Sequence, residues 1–177
     1  MFKRRRMLGV LVVLLLAGQP AHSEDMVIGV KAAFLYNFTK FIQWPAVSFD
    51  ADSDSLNLCV TADLQDANVV RQVVRGKSTQ NRAIDFYYVT DRRALAQCHL
   101  WYVSKEAAQR NPDWFDEARQ YPLVVVGEGD RFIDENGMIG LMIVDGRIRF
   151  AVNERRASTS SIHISSKLLS LAQRVVR

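Results

Sequence analysis

The sequence predicts an α/β fold: one layered domain, with a mostly parallel sheet flanked by helices and an antiparallel C-terminal hairpin. Three observations predict it. Short apolar, β-branched runs alternate with segments of helical period, the pattern of strand–helix repeats. The run at 123–126 is apolar at every position, as in a strand buried on both faces. Asp145-Gly146 stands between two alternating runs, a strong two-residue hairpin signal.

The chain opens on MFKRRR, an apolar run over 7–17, and the small-x-small triplet Ala21-His22-Ser23. That reads as a secretory signal peptide over 1–23, cut after Ser23, leaving 24–177 as a single domain. The apolar run is shorter than the roughly 20 residues that cross a bilayer, so the protein is not expected to span a membrane. The chain has 23 Lys+Arg against 19 Asp+Glu. Lys3, Arg4, Arg5 and Arg6 account for the excess, so the processed chain has a formal net charge of zero. Secretion and neutrality argue against nucleic acid as a partner, since phosphate binding needs a basic excess.

The first element is a helix over 25–44, stopped by Pro45 because the residue before proline is pushed out of the helical region. Val27, Val30, Phe34, Phe38 and Phe41 form its apolar stripe, and Leu35 and Ile42 lie on a second one. This arc is wider than a one-sided helix requires. It either docks on the sheet as the first layer of the core, or Leu35, Ile42 and Trp44 meet a second subunit or a partner. A polar loop over 48–55 leads to a strand at 56–61. A helix over 65–75 follows, with Gly76 past its end. Strands are read at 82–89 and 98–104. Asn111-Pro112-Asp113 reads as a helix start, with Asn as cap and Pro in the first turn. After the strand at 123–126, Asp134-Glu135 read as turn residues before Asn136-Gly137. The hairpin arms are 138–144 and 147–152; in the second, Arg147, Arg149 and Ala151 form the wet face. The last element is an amphipathic helix over 160–176, with Ile164, Leu168, Leu171, Ala172 and Val175 inward.

Catalytic and metal constellations are not found in the residues. His99 and His163 are far apart, without HxH or HExxH spacing, and no GxSxG elbow is present. The reading is therefore of a non-enzyme with no metal and no cofactor. His99 reads as an ordinary sheet histidine. Cys59 and Cys98 permit one disulfide in an oxidising compartment, or else two buried free thiols. One loop stands out as a ligand rim: Gly127, Glu128, Gly129 and Asp130, which follow a buried strand. In open α/β sheets, ligands sit beyond the carboxyl ends of strands. His163, in the first turn of the last helix, joins this candidate rim; the alternative is a plain surface turn.

Three stretches carry a family resemblance: KAAFLYNFTKFIQWP at 31–45; LCV at 58–60 with CHLWYVS at 98–104; and GMIGLMIVDGRIRFAVN at 137–153 followed by ISSKLLSLAQRV at 164–175. Together they resemble the YfiR family of periplasmic signalling repressors. The resemblance implies a periplasmic α/β protein acting as a homodimer, with Cys59 and Cys98 bridged. It implies binding to the periplasmic sensor domain of an inner-membrane diguanylate cyclase, with repression of cyclic di-GMP synthesis and hence of biofilm and exopolysaccharide. An outer-membrane lipoprotein is a further candidate partner. The alternative is a periplasmic module that binds a small aromatic metabolite.

Overall fold

The computed structural model describes residues 21–49, 55–135 and 137–177. The expected leader lies outside the described residues except for its last three, which open the first helix. Residues 50–54 of the polar loop, and Asn136, also lie outside them.

The elements in order are α1 (Ala21–Thr39), β1 (Ile42–Gln43), a 3-10 turn (Ala46–Ser48), β2 (Ser55–Thr61), α2 (Leu64–Val74), β3 (Ser78–Thr79) and β4 (Arg82–Tyr88). A second 3-10 turn (Arg92–Gln97) leads to β5 (Leu100–Val103), α3 (Lys105–Arg110), α4 (Trp114–Ala118), β6 (Val124–Glu128) and α5 (Phe132–Glu135). The chain finishes with β7 (Ile139–Val144), β8 (Arg147–Asn153), α6 (Glu154–Thr159), β9 (His163–Ile164), α7 (Ser166–Leu171) and β10 (Arg174–Val176). One sheet has the order β10-β8-β7-β6-β5-β2-β4-β3, and β1 pairs with β9 in a small antiparallel ladder. The pairs β4·β2, β2·β5, β5·β6 and β6·β7 are parallel, and β7·β8 is antiparallel. The α/β class and the C-terminal hairpin are as the sequence predicts. The hairpin turn is Asp145-Gly146, with φ of 49° and 69°, the doubly positive geometry that matches strand twist.

The central strands are buried on both faces, which is why they read as unbroken apolar runs. Leu58, Val60, Leu100, Tyr102, Val124 and Val126 face α1 and α2, packing against Ile28, Ala32, Leu35 and Phe38. Their alternates Cys59, Trp101, Val103 and Val125 face the other layer, with Phe115 and Phe132. The structure joins Cys59 to Cys98 in a disulfide, with Cα atoms 5.8 Å apart. The bridge lies between β2 and the residues entering β5.

Four readings need correction. First, the opening helix stops at Thr39 rather than at Trp44. Its last turn tightens through i→i−3 bonds, Lys40 N to Asn37 O and Phe41 N to Phe38 O. Thr79 Oγ1 and Gln80 Nε2 then take the Thr39 carbonyl at 3.1 and 2.9 Å. Ile42 leaves the helix to pair with Ile164. Second, the final helix does not exist as one piece. Ser161 adopts φ 57°, and Ser165 caps a new helix by accepting from Leu168 N. The chain beyond α7 becomes β10, where Val175 pairs with Val152, and Leu171 is left exposed. Third, Asn111 closes α3 rather than opening α4; its Nδ2 donates to the Ala107 carbonyl at 2.8 Å. Fourth, Asp134 and Glu135 belong to the one-turn helix α5; on β8 Arg147 and Arg149 are exposed as expected, and only Ala151 of that face is covered. Ala151 is fully buried, and a Cβ on neighbouring Gly140 would lie 3.2 Å from Ile133 Cγ2.

The disulfide closes 39 positions, which the chain-entropy model values at about 4 kcal/mol. A Cys59→Ala/Cys98→Ala double variant should lose about that much unfolding free energy in urea titrations. A loss below about 1 kcal/mol would contradict the entropic account.

Candidate functional site

The chemistry-bearing side chains gather where the parallel strands end. Tyr102 lies on the α1 side of β5, and in the register of β5 and β6 it stands opposite Val126. Its hydroxyl therefore reaches the carboxylate two residues farther along β6, and donates to Glu128 Oε1. The other oxygen, Oε2, pairs with Lys31 Nζ from α1 at 2.7 Å, and the two side chains keep only 15% and 19% of their surface exposed. Glu128 thus joins the helix layer to the sheet. Burial, then the nearby Glu128 charge, holds the Tyr102 phenol well above its ordinary value of 10.0. A neutral phenol is the form that donates to a carboxylate, so the bond and the shift agree in sign.

Two clefts flank this group. One, of about 660 Å³, runs between α3 and α5 and is lined by Lys105, Gln109, Pro112, Glu128, Gly129 and Arg131 among others. A second, of about 210 Å³, lies on the hairpin side between Lys31, Lys105, Glu128, Leu141 and Ile148. Asp66, in the first turn of α2, belongs to the same end: burial, then Asp63, raises its carboxyl above 3.8, and Lys31 opposes the rise.

Of the expected rim, Glu128, Gly129 and Asp130 line both clefts. Gly129 has φ 103°, a backbone state that favours glycine. Gly127 is not on the rim; it lies under the Phe132 ring, which occupies the space a Cβ would need at both Gly127 and Gly137. His163 is not brought to this loop. It is exposed on β9 opposite Gln43, at the far end of α1. Leu35 and Ile42 are fully buried inside this chain, and Trp44 is half-buried with its Nε1 donating to the His99 carbonyl at 2.8 Å. Sequence reasoning missed Lys31, Asp66, Tyr102 and Lys105. For Tyr102 a signal existed, a hydroxyl in an otherwise apolar central strand, which needs a partner when buried.

The raised Asp66 carboxyl is a penalty on the folded state at neutral pH, because folding there desolvates a charge. Below 3.8 both states are protonated and the penalty vanishes. Asp66→Asn should therefore raise the melting temperature at pH 7, with the gain fading as pH falls through the folded value toward 3.8. An equal gain at both pH values would assign the effect to something other than charge.

The family model described as YfiR/HmsC-like matches residues 29–173. No curated protein matches the chain at a significant level. Among solved structures, the chain is similar to a conserved domain protein from Vibrio cholerae O1 biovar El Tor str. N16961. The TM-score is 0.54 at 8% identity, over 84% of this chain and 60% of that one. It is also similar to the ABC domain in complex with L-Trp from Streptococcus pneumonia, with TM-score 0.52 at 9% identity, over 69% of this chain and 55% of that one. This chain therefore spans less than two thirds of the length of either, and at such identities the likeness is one of fold alone. The family match covers most of the chain, from α1 to the residues entering β10, and takes in both the bridged cysteines and the Lys31–Glu128–Tyr102 group: the chain belongs to the YfiR/HmsC-like family of periplasmic regulators.

Proposed function

We propose that this chain is a periplasmic negative regulator that binds the periplasmic sensor domain of an inner-membrane diguanylate cyclase and holds cyclic di-GMP synthesis off. The family match over 29–173 is the observation that carries this reading. The mechanism is a linkage: binding favours the inactive state of the membrane partner, and a signal that weakens binding shifts the equilibrium back. Regulation is by contact rather than catalysis. The same reading has the chain act as a homodimer, with an outer-membrane lipoprotein as a further partner.

Leu35 and Ile42 have no surface to offer a partner, so contacts come from exposed side chains. Met26 and Val30 on α1, Leu64 at the start of α2 and Ile143 near the hairpin turn are large, apolar and exposed, and all belong to the end of the molecule that holds Glu128. Leu64→Asp should leave the fold intact and raise cellular cyclic di-GMP as deletion of the gene does. Deletion without any rise would sink the reading; deletion with a rise and a silent Leu64→Asp would move the contact surface elsewhere.

The clefts around Glu128, Gly129 and Asp130 favour a second reading, a module that binds a small aromatic metabolite. A ligand held at a hundred times its Kd stabilises the folded state by about 2.7 kcal/mol. Thermal-shift titration with aromatic metabolites should then show saturable stabilisation, abolished by Lys105→Glu. Flat melting temperatures across the series leave only the contact model.

A further inference from the structure

The formal net charge of +4 does not say how the charges are grouped. Carboxylates gather at the carboxyl end of the sheet, where Asp63, Asp66 and Glu106 surround the Glu128 group. At the opposite end of α1, three lysines converge from distant parts of the chain. Lys40 follows α1, Lys77 follows α2, and Lys167 lies in α7. Specific bonds bring them together: Tyr36 OH donates to the Ser78 carbonyl at 3.2 Å, and Ser165 N donates to the Phe41 carbonyl at 2.9 Å. The Lys40 and Lys77 ammoniums lie 4.0 and 5.7 Å from the centroid of the Tyr36 ring, and Lys167 lies 5.5 Å from that of Phe41. All three lysines are exposed. Among the described residues none of them is ion-paired, whereas Arg92, Arg93, Arg119, Arg174 and Arg177 each hold a carboxylate.

We propose that this face, with Lys40, Lys77 and Lys167 set around Tyr36 and Phe41, docks on an anionic phospholipid surface. Lys40 Nζ also donates to Asn37 Oδ1 at 3.0 Å, but neither that bond nor the ring contacts supply a counter-charge, and among the described residues the three ammoniums have no carboxylate partner. Lipid headgroups are the counter-charge that fits. Ammoniums act as point charges that need no fixed acceptor geometry, while this chain's directed carboxylate pairs are made mainly by arginine forks. Lysines with half-buried aromatic rings between them also match the make-up of a membrane interface, where stems and rings lie at headgroup level. The proposal needs only a periplasmic location and does not rest on the cyclase.

The test is co-sedimentation of the purified protein with phosphatidylcholine vesicles, with and without phosphatidylglycerol, at low and high salt. Binding is expected only to the anionic vesicles and is expected to weaken with salt. Each lysine near such a surface is worth about fivefold in partitioning. Lys77→Gln should therefore lose about fivefold, and the triple Lys40→Gln/Lys77→Gln/Lys167→Gln variant on the order of a hundredfold. Glu106→Gln, at the other end, should not weaken binding. Circular dichroism confirms that the variants fold, and the single variant carries the test if the triple does not. Equal binding to neutral vesicles overturns the proposal, as does a folded lysine variant that binds undiminished. A chain that ignores anionic vesicles yet needs these lysines to hold a cyclase sensor domain overturns it in favour of an acidic protein partner.

Discussion

Everything in this fold depends on how the chain enters β5, and that entry is fixed at His99. Asn57 N donates to His99 Nδ1 at 2.9 Å, which puts the ring proton on Nε2, 2.7 Å from the Ser48 carbonyl. The His99 amide donates to Asn57 O, and its carbonyl accepts from both Val124 N and Trp44 Nε1. One residue thus ties β2, β6, the strap after β1 and the first 3-10 turn to the central strand. Phe49 stacks on the same ring at 4.5 Å between centroids, and the disulfide holds the residue before it. Each hydrogen bond is worth only about 1 kcal/mol net, but breaking one here leaves a buried polar group without water, which costs more. This junction extends the parallel ladder that sets β5 in register with β2.

What the sequence made legible follows from burial. Strands β2, β5 and β6 are apolar because both of their faces are covered, and that demand acts at every position, so it is visible without any tertiary knowledge. The hairpin was visible because its turn needs two positive φ values, which Asp-Gly supplies locally. The ends of α1 and of the C-terminal segment were not visible, because pairing decides them. Ile42 and Ile164 form a two-residue ladder across the molecule, and neither side announces it. The helical period through 160–176 is real as a pattern, yet β10 gains ladder bonds to β8 that a continued helix would forgo. Local propensity lost to a long-range partner in both cases.

The candidate site was half legible for a related reason. Glu128 and Asp130 could be placed at the end of a strand from the strand alone. The partners of Glu128 come from α1 and β5, so the residues around Glu128 name neither Lys31 nor Tyr102. His163 failed in the opposite way. Placing it near the loop required the long final helix, and without that helix it lies at the other end of α1. The lysine face is the same lesson in charge: a net charge says nothing about where the charges sit, and only the tertiary convergence of the segments after α1 and α2 with α7 brings Lys40, Lys77 and Lys167 together.

Helix α1 joins these two ends. Lys31, at its middle, is on the Glu128 group and Lys40, just past its end, is on the cationic face, nine residues or about 13 Å apart at the usual rise. Ala32, Leu35 and Phe38 between them are essentially without exposure, so the C-terminal half of the helix is packed into the core. A shift of α1 along this stretch would break the packing of three buried side chains at once. A ligand in the clefts that left Lys31 on Glu128 would not do this, and Lys105 with the Gly129 backbone offers a route that leaves the pair alone. A ligand that drew Lys31 away would strand a partly buried carboxylate, a change costly enough to compete with that packing. The Lys31–Glu128 pair is accordingly where α1 meets the clefts, and Tyr102 OH is the bond that Glu128 would keep if Lys31 left it.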